Sequence, residues 1–328
     1  MILLPAALFV GMGKGLQMIP RLTAVVKSRW TQRILFCLTI VFVVNYVLRN
    51  FEWEALSVLA IDPFWLSLGI VLNLVYLLVY AFLWHGITSM YKSAIPMTDA
   101  VAVWLFSNFG KYLPLKVTGI GFRMSAYRER TRHGYAHIGQ LCYMEYVASI
   151  LGGFVVVFVF LFFGAGAAGL VPGSISRYAL YASALFLLLL PPVHRVLFNS
   201  ALRILNKEAG LVSMKPGNSL ILVIAYAGAW LMLGATLICL TYAVYPPLEA
   251  ARWPRIVLIY ALAGIAGMIS LFAPSGMGVR EGVLIFGLGT FMPVPVAAVI
   301  SVLARIVATA VDGIGILAGF LYLERMKK

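Results

Sequence analysis

Leu220–Val244 reads LILVIAYAGAWLMLGATLICLTYAV, without one charged residue. The hydrocarbon layer of a bilayer is about 30 Å thick, and a helix needs roughly 20 apolar residues to cross it. This stretch meets that requirement, and it is not alone. Long apolar runs recur at about 34–48, 65–90, 140–163, 178–194, 218–245, 255–272 and 297–323. Two further runs, 100–109 and 283–292, are too short to cross and are bordered by Pro and Gly, as re-entrant or broken helices are. Of the 328 residues 62% are hydrophobic and 11% charged, with a mean hydropathy of +0.98. Soluble domains carry roughly 25% charged residues. The expected fold is all-α: a polytopic membrane helical bundle of seven to nine membrane elements. Two of those are the short broken ones. A single domain over 34–323 is expected between an interfacial basic segment, 1–33, and a basic tail, 324–328.

A net charge of +14 suits nucleic acid only when the basic residues share a water-exposed face. Here they gather in short connections between apolar runs, as the positive-inside bias predicts. The connection 111–139 holds Lys111, Lys116, Arg123, Arg128, Arg130 and Arg132; 194–217 holds Arg195, Arg203, Lys207 and Lys215. Both are expected in the cytoplasm, which makes this a multi-pass protein of the cytoplasmic (inner) membrane. Glu52, Glu54 and Asp62 place 49–63 outside. A cytoplasmic C-terminus requires 279–292 to act as a second half-helix.

Several motifs are missing. Cys37, Cys142 and Cys239 each sit alone in an apolar run, with neither zinc nor disulfide spacing. His133 and His137 are separated by Gly134 in a basic connection, without a third ligand nearby, and read as a solvated pair. Met1 to Val10 is apolar but has no basic residue ahead of it, so a cleaved signal is not expected. No GxSxG or HExxH occurs. No cofactor is implied, and the chain is not expected to be an enzyme.

An internal echo stands out. Pro114 precedes Gly119-Ile-Gly121-Phe-Arg123, and Pro274 precedes Gly276-Met-Gly278-Val-Arg280. Each precedes a long apolar run with ionisable residues: Glu145 in the first, Arg305 and Asp312 in the second. Paired interruptions of this kind mark the two halves of many transporters. Gly allows positive φ and close approach of backbone to a ligand. A half-helix starting after Gly278 would direct free N–H groups at an anion, and Arg280 or Arg123 would add a forked guanidinium suited to phosphate. Asn108, Lys111 and Lys116 surround the first turn.

A charge at the bilayer centre costs from about 2.5 to 17 kcal/mol, depending on the measure. Glu145, Arg280, Glu281, Arg305 and Asp312 therefore need a reason to be there. Arg305 and Asp312, two helical turns apart, share one face of their helix. Either they pair with each other or they line a hydrated cavity. Gly315 and Gly319 form a GxxxG, which reads as close helix packing within or between subunits.

The stretches NFGKYLPLKVTGIGFR (Asn108 to Arg123) and APSGMGVRE (Ala273 to Glu281) resemble the lysylphosphatidylglycerol synthase transmembrane-region family. Its N…YxPxxxG…R pattern is matched by Asn108, Tyr112, Pro114, Gly119 and Arg123. Its PxGxGxxE turn is matched by Pro274, Gly276, Gly278 and Glu281; Glu145 and Arg305 also look like family positions. Ser275 stands where the family often has Gly, which should stiffen the turn. The resemblance implies a flippase-type domain that carries a lipid between leaflets. Fused members add a soluble aminoacyltransferase; this sequence ends at Lys328, so synthesis of the lipid is not implied and a separate lipid-synthesising enzyme is expected.

The leading expectation is thus a translocator for an anionic, phosphate-bearing membrane lipid, with no nucleic-acid partner and a homo-oligomer left open. The head-group contacts would come from Asn108, Lys111, Tyr112, Lys116, Arg123, Glu145, Arg280, Glu281, Arg305 and Asp312. Pro114, Gly119, Gly121, Pro274, Gly276 and Gly278 would shape the turns. The alternatives are a membrane-embedded transferase acting on a lipid head group, or an accessory subunit of an envelope lipid enzyme. A transferase would need a base or nucleophile beside a donor site. No such set is seen in the sequence.

Overall fold

The computed structural model describes residues 61–112, 117–131, 133–162, 216–270 and 274–326. The apolar runs at 34–48 and 178–194, the segment 1–33, most of 194–217, and Pro114 and Lys116 lie outside them. Within the described residues the chain is all-helical. In order come α1 (Pro63–Met90), α2 (Met97–Ser107), a 3-10 turn (Asn108–Tyr112), α3 (Val117–Arg130), α4 (Tyr135–Phe162) and α5 (Pro216–Val244). A 3-10 turn (Ala250–Arg252) leads into α6 (Trp253–Ile269), and another (Pro274–Gly276) into α7 (Val279–Leu288) and α8 (Val294–Arg325). Five helices, α1, α4, α5, α6 and α8, are long and apolar enough to cross a membrane.

Local chemistry sets the helix starts. Pro63 opens α1, and the Asp62 carboxylate accepts from Phe64 N at 2.8 Å and Trp65 N at 3.4 Å. This is N-capping with proline in the first turn, where its missing N–H costs nothing. The Glu281 side chain accepts from Gly278 N at 2.7 Å and closes the start of α7.

Contacts between helices give their directions. Asp62 N donates to Ala243 O at 2.9 Å, so α1 begins where α5 ends, and the two run antiparallel. Met90, Lys92 and Ser93 lie at the other end, where His137 meets Ser93 at 2.8 Å and His133 meets the Lys92 carbonyl at 3.0 Å. Arg130 pairs with Asp99 there, and Tyr322 donates to Asp99 at 2.9 Å. This is the basic end, and the C-terminal end of α8 lies on it. Asp62, Tyr242, Trp253, Arg255 and Thr290 mark the opposite end.

Two helical hairpins are inserted from these ends. α2 leaves the basic end, turns at Asn108–Tyr112, and α3 comes back to it. The arms touch backbone to backbone: a Cβ on Gly119 would lie 2.2 Å from Ser107 O, and one on Gly110 would lie 2.2 Å from Gly119 N. α6 leaves the opposite end and stops inside the bundle, where Tyr146 donates to Met268 O at 2.5 Å. α7 then returns, with Gly287 against Ile259 and the Arg255 guanidinium donating to Thr290 at 2.6 Å. The turns at Asn108–Tyr112 and Pro274–Gly276 meet inside the bundle.

Three expectations are corrected by this arrangement. The connection 111–139 is not a loop, because Val117–Arg130 is the return arm of the first hairpin. Its low hydropathy is tolerated because that arm packs on protein at α2 and α4. The run 255–272, expected to cross, ends inside the bundle instead, with 283–292 as part of its return arm. The echoed glycines also serve different purposes. Gly276 and Gly278 have φ of +73° and +79°, whereas Gly119 and Gly121 are ordinary helical residues of α3. Gly119 is needed for close approach, and nothing lies within 4 Å of a Cβ at Gly121. Ser275 itself takes φ +51°, a left-handed conformation that costs a non-glycine residue roughly 1–2 kcal/mol.

Candidate functional site: the junction of two hairpin tips

The helix α8 passes both hairpins, α7 first and α2 afterwards. Its Arg305 Nη1 donates to the Ser275 carbonyl at 3.0 Å, and its Nε stands 3.6 Å from the Glu281 carboxylate. Farther along, Asp312 Oδ2 accepts from Tyr112 OH at 2.6 Å and meets Lys111 Nζ at 2.6 Å. One charge of α8 therefore holds each tip. The close contacts of Arg305 with Ser275 and Glu281, and of Asp312 with Lys111 and Tyr112, go to other elements, although their shared face allowed a mutual pair. Each reaches across to a different hairpin, and Arg305 still lies within electrostatic reach of Tyr112. The strained Ser275 carbonyl is thus employed: it gives the Arg305 guanidinium an acceptor that a helical backbone would have kept.

Arg280 differs from its neighbours. Its guanidinium lies over the Tyr260 ring, 4.6 Å from the centroid, and donates to the Tyr260 hydroxyl. No carboxylate among the described residues is in direct contact with it, although Glu281, Tyr76 and Asp312 lie within electrostatic reach. The junction holds three cations, Lys111, Arg280 and Arg305, against two carboxylates, Glu281 and Asp312. Lys111 is 36% exposed while the Glu281 and Asp312 side chains are each 11% exposed, so the accessible charge is positive. At the first tip the Asn108 amide nitrogen and Thr118 hydroxyl are buried with no partner among the described residues. Such groups are uncommon in native structures and call for a ligand, water or neighbour.

Arg123 and Glu145 lie elsewhere. Arg123 pairs with Glu145, donates to Ser107 Oγ at 2.8 Å, and is sandwiched between Trp84 (4.9 Å) and Trp104 (5.7 Å). Trp104 Nε1 completes Glu145 at 2.6 Å. Arg123 and Arg280, expected at one site, have no direct partner in common; Tyr80 lies between them, within electrostatic reach of both Glu145 and Tyr260. A buried carboxylate needs a cation and donors, and Glu145 takes both from α2 and α3. The pair fastens the first hairpin to α4.

Other expectations are resolved by packing. A Cβ at Gly315 would lie 2.6 Å from Leu77, and one at Gly319 2.6 Å from Ala102 O, so this GxxxG packs α8 on α1 and α2 within the chain. The His133 and His137 rings stack at 4.3 Å and tie α4 to the connection before α2. No group of three metal-ligating side chains occurs among the described residues. Cys142 and Cys239 are buried free thiols.

Tyr260, Tyr76 and Tyr80 were not foreseen as site residues. Tyr76 and Tyr80 stand 4.7 Å apart, and Tyr80 meets Tyr226 at 5.0 Å. A signal existed: these tyrosines lie within apolar helices, whereas the usual place for tyrosine is the interfacial belt.

A helical bundle with five membrane-length helices and charges held between two inserted hairpins is a polytopic membrane protein with a polar core. The chain belongs to the lysylphosphatidylglycerol synthase TM region family, whose model matches residues 31–315. No curated protein matches it significantly. Membership assigns it a membrane function related to lipids.

Proposed function

We propose that the protein translocates an anionic, phosphate-bearing lipid between leaflets, with the junction of the two tips as the head-group site. The observation that carries this reading is Arg280, a partly buried guanidinium whose partner is a phenol rather than a carboxylate. The carboxylate nearest to it in electrostatic terms, Glu281, also serves Arg305, and a cation so weakly compensated in a membrane is costly. A lipid phosphate would supply the missing charge, and a guanidinium fork fits its oxygens. Lys111, a more exposed cation of the junction than Arg305, would give a second contact.

The hairpins support the same reading. Inserted from opposite ends with their tips in contact, they act as re-entrant helices whose irregular backbone is shielded from lipid by protein. A head group reaching the tips from one end meets the first hairpin, and leaving towards the other it passes the second. The basic end is taken as cytoplasmic. Both junction carboxylates, Glu281 and Asp312, are engaged by cations of the junction itself, which supports translocation over head-group transfer. The test uses purified protein in phosphatidylcholine vesicles with a trace of fluorescent phosphatidylglycerol, and membrane-impermeant quenching reads the outer leaflet. Wild-type protein should let the quencher consume the inner-leaflet probe over time. Arg280→Ala should not. Equal rates with and without protein would end the proposal.

A further inference from the structure

We infer that Asp312 binds a proton together with the lipid, so that movement of the head group is coupled to a proton gradient. This rests on the translocation reading of the same junction.

The inference begins from how Asp312 is held. Both of its close contacts converge on one oxygen: Lys111 Nζ at 2.6 Å and the Tyr112 hydroxyl at 2.6 Å. Among the described residues, Lys111 is the cation seen in direct contact with it. It is also the part of the pair that faces outward, 36% exposed against 11% for Asp312. A phosphate arriving at the junction meets the ammonium before the carboxylate.

The surroundings of Asp312 decide its response. The first tip brings Lys111 and Tyr112, and α1 brings Tyr76. α6 brings Tyr260, whose ring carries Arg280 of α7. Glu281 of α7 is engaged by Arg305, which shares α8 with Asp312. The titratable residues of α5, Tyr226, Cys239 and Tyr242, face Tyr80, Gly69 and Trp65 instead. Apart from Lys111, the cation within reach of Asp312 and in direct contact with no carboxylate among the described residues is Arg280, which also feels Glu281. Both are the groups a phosphate would occupy.

Binding of the phosphate therefore acts on Asp312 twice. It competes for the ammonium that contacts the carboxylate, and it sets a second negative charge beside it. Each effect favours the protonated acid. The carboxylate takes a proton from water at the end to which the junction is open, forming an O–H bond. Tyr112 can then remain as its hydrogen-bond partner. When the head group leaves at the other end, Lys111 returns and the proton passes to water there. Affinities for lipid and proton reinforce each other equally, as linkage requires. A singly charged lipid and one proton move together, so no net charge crosses the bilayer.

The experiment imposes a pH gradient on the phosphatidylcholine vesicles and measures the final distribution of fluorescent phosphatidylglycerol between leaflets. One pH unit should hold a leaflet ratio of up to about tenfold, with the lipid enriched on the less acidic side. Nigericin should return the ratio to one, and so, in a protein that still moves the probe, should Asp312→Asn. A wild-type protein that moves the lipid but leaves the ratio at one under the gradient overturns the proton coupling alone. A wild-type protein that moves no phosphatidylglycerol overturns both the coupling and the translocation reading. The nigericin arm uses wild-type protein only, so the result stands even if Asp312→Asn does not fold.

Discussion

Arg305 and Asp312 share one helix but hold different hairpins, Arg305 through Ser275 and Glu281 and Asp312 through Lys111 and Tyr112. At 1.5 Å per residue their positions lie roughly 10.5 Å apart along α8. A single rigid helix therefore sets the spacing of the two halves of the junction. Any change in how the tips meet must move one of these contacts.

Arg305→Ala should leave Glu281 without its cation and destabilise the protein by about 3–5 kcal/mol, the usual cost of breaking a buried pair from one side. Glu281→Gln should restore most of that loss, because the amide oxygen can still accept from Gly278 N. Asp312→Asn should restore none of it. Thermal unfolding of the purified variants checks this. Rescue by Asp312→Asn would mean that the α8 charges pair with each other after all.

Arg280→Ala should leave thermal stability nearly unchanged, since the side chain gives up a phenol contact and no salt bridge. Transport of phosphatidylglycerol should fall on the order of tenfold to a hundredfold, as expected for losing a charge-assisted hydrogen bond of about 1.5–3 kcal/mol. Arg280→Lys should recover part of the rate, because the charge remains and the fork does not. A variant that unfolds readily would make Arg280 a structural residue.

Gly119→Ala and Gly121→Ala should behave oppositely. A Cβ at position 119 meets Ser107 O at 2.2 Å, and the facing object is backbone that cannot rotate away. At position 121 the space is open, and replacing a helical glycine should stabilise by up to about 1 kcal/mol. Yield and melting temperature in detergent distinguish the two. Similar behaviour of both variants would contradict the close contact between the arms of the first hairpin.

A cysteine replacing Arg130, in a background without Cys37, Cys142 and Cys239, should resist an impermeant thiol reagent added to intact cells. One replacing Glu249, beside the start of α6, should react. Labelling in the reverse pattern would invert the orientation drawn from the basic end.

Hydropathy alone showed which runs could enter a membrane, and its runs at 218–245 and 297–323 match the long helices Pro216–Val244 and Val294–Arg325. It failed at α3 and α6 for definite reasons. Arg128 and Arg130 made the first return arm look like a cytoplasmic loop, although Arg123 within it is neutralised by Glu145 and by two tryptophan faces. The run at 255–272 is as apolar as a crossing helix, and nothing in its composition says that Pro274 and two positive-φ glycines will send the chain back.

The sequence by itself determined that this is a helical membrane protein of its family, that the chain is interrupted near Pro274 and Gly276, and that Glu145, Arg280, Arg305 and Asp312 had to find polar company; it put the first interruption at Gly119 to Arg123, and the structure moves it to Asn108–Tyr112. Only the tertiary structure decided which company. A helix shows from its own sequence which residues share a face, because that depends on a fixed step of about 100°. The partner opposite that face comes from another element, brought there by how the arms pack. Arg305 and Asp312 were therefore legible as a pair of needs. Glu281 and Lys111 became their answers because the two hairpins arrive from opposite ends and meet α8 one after the other.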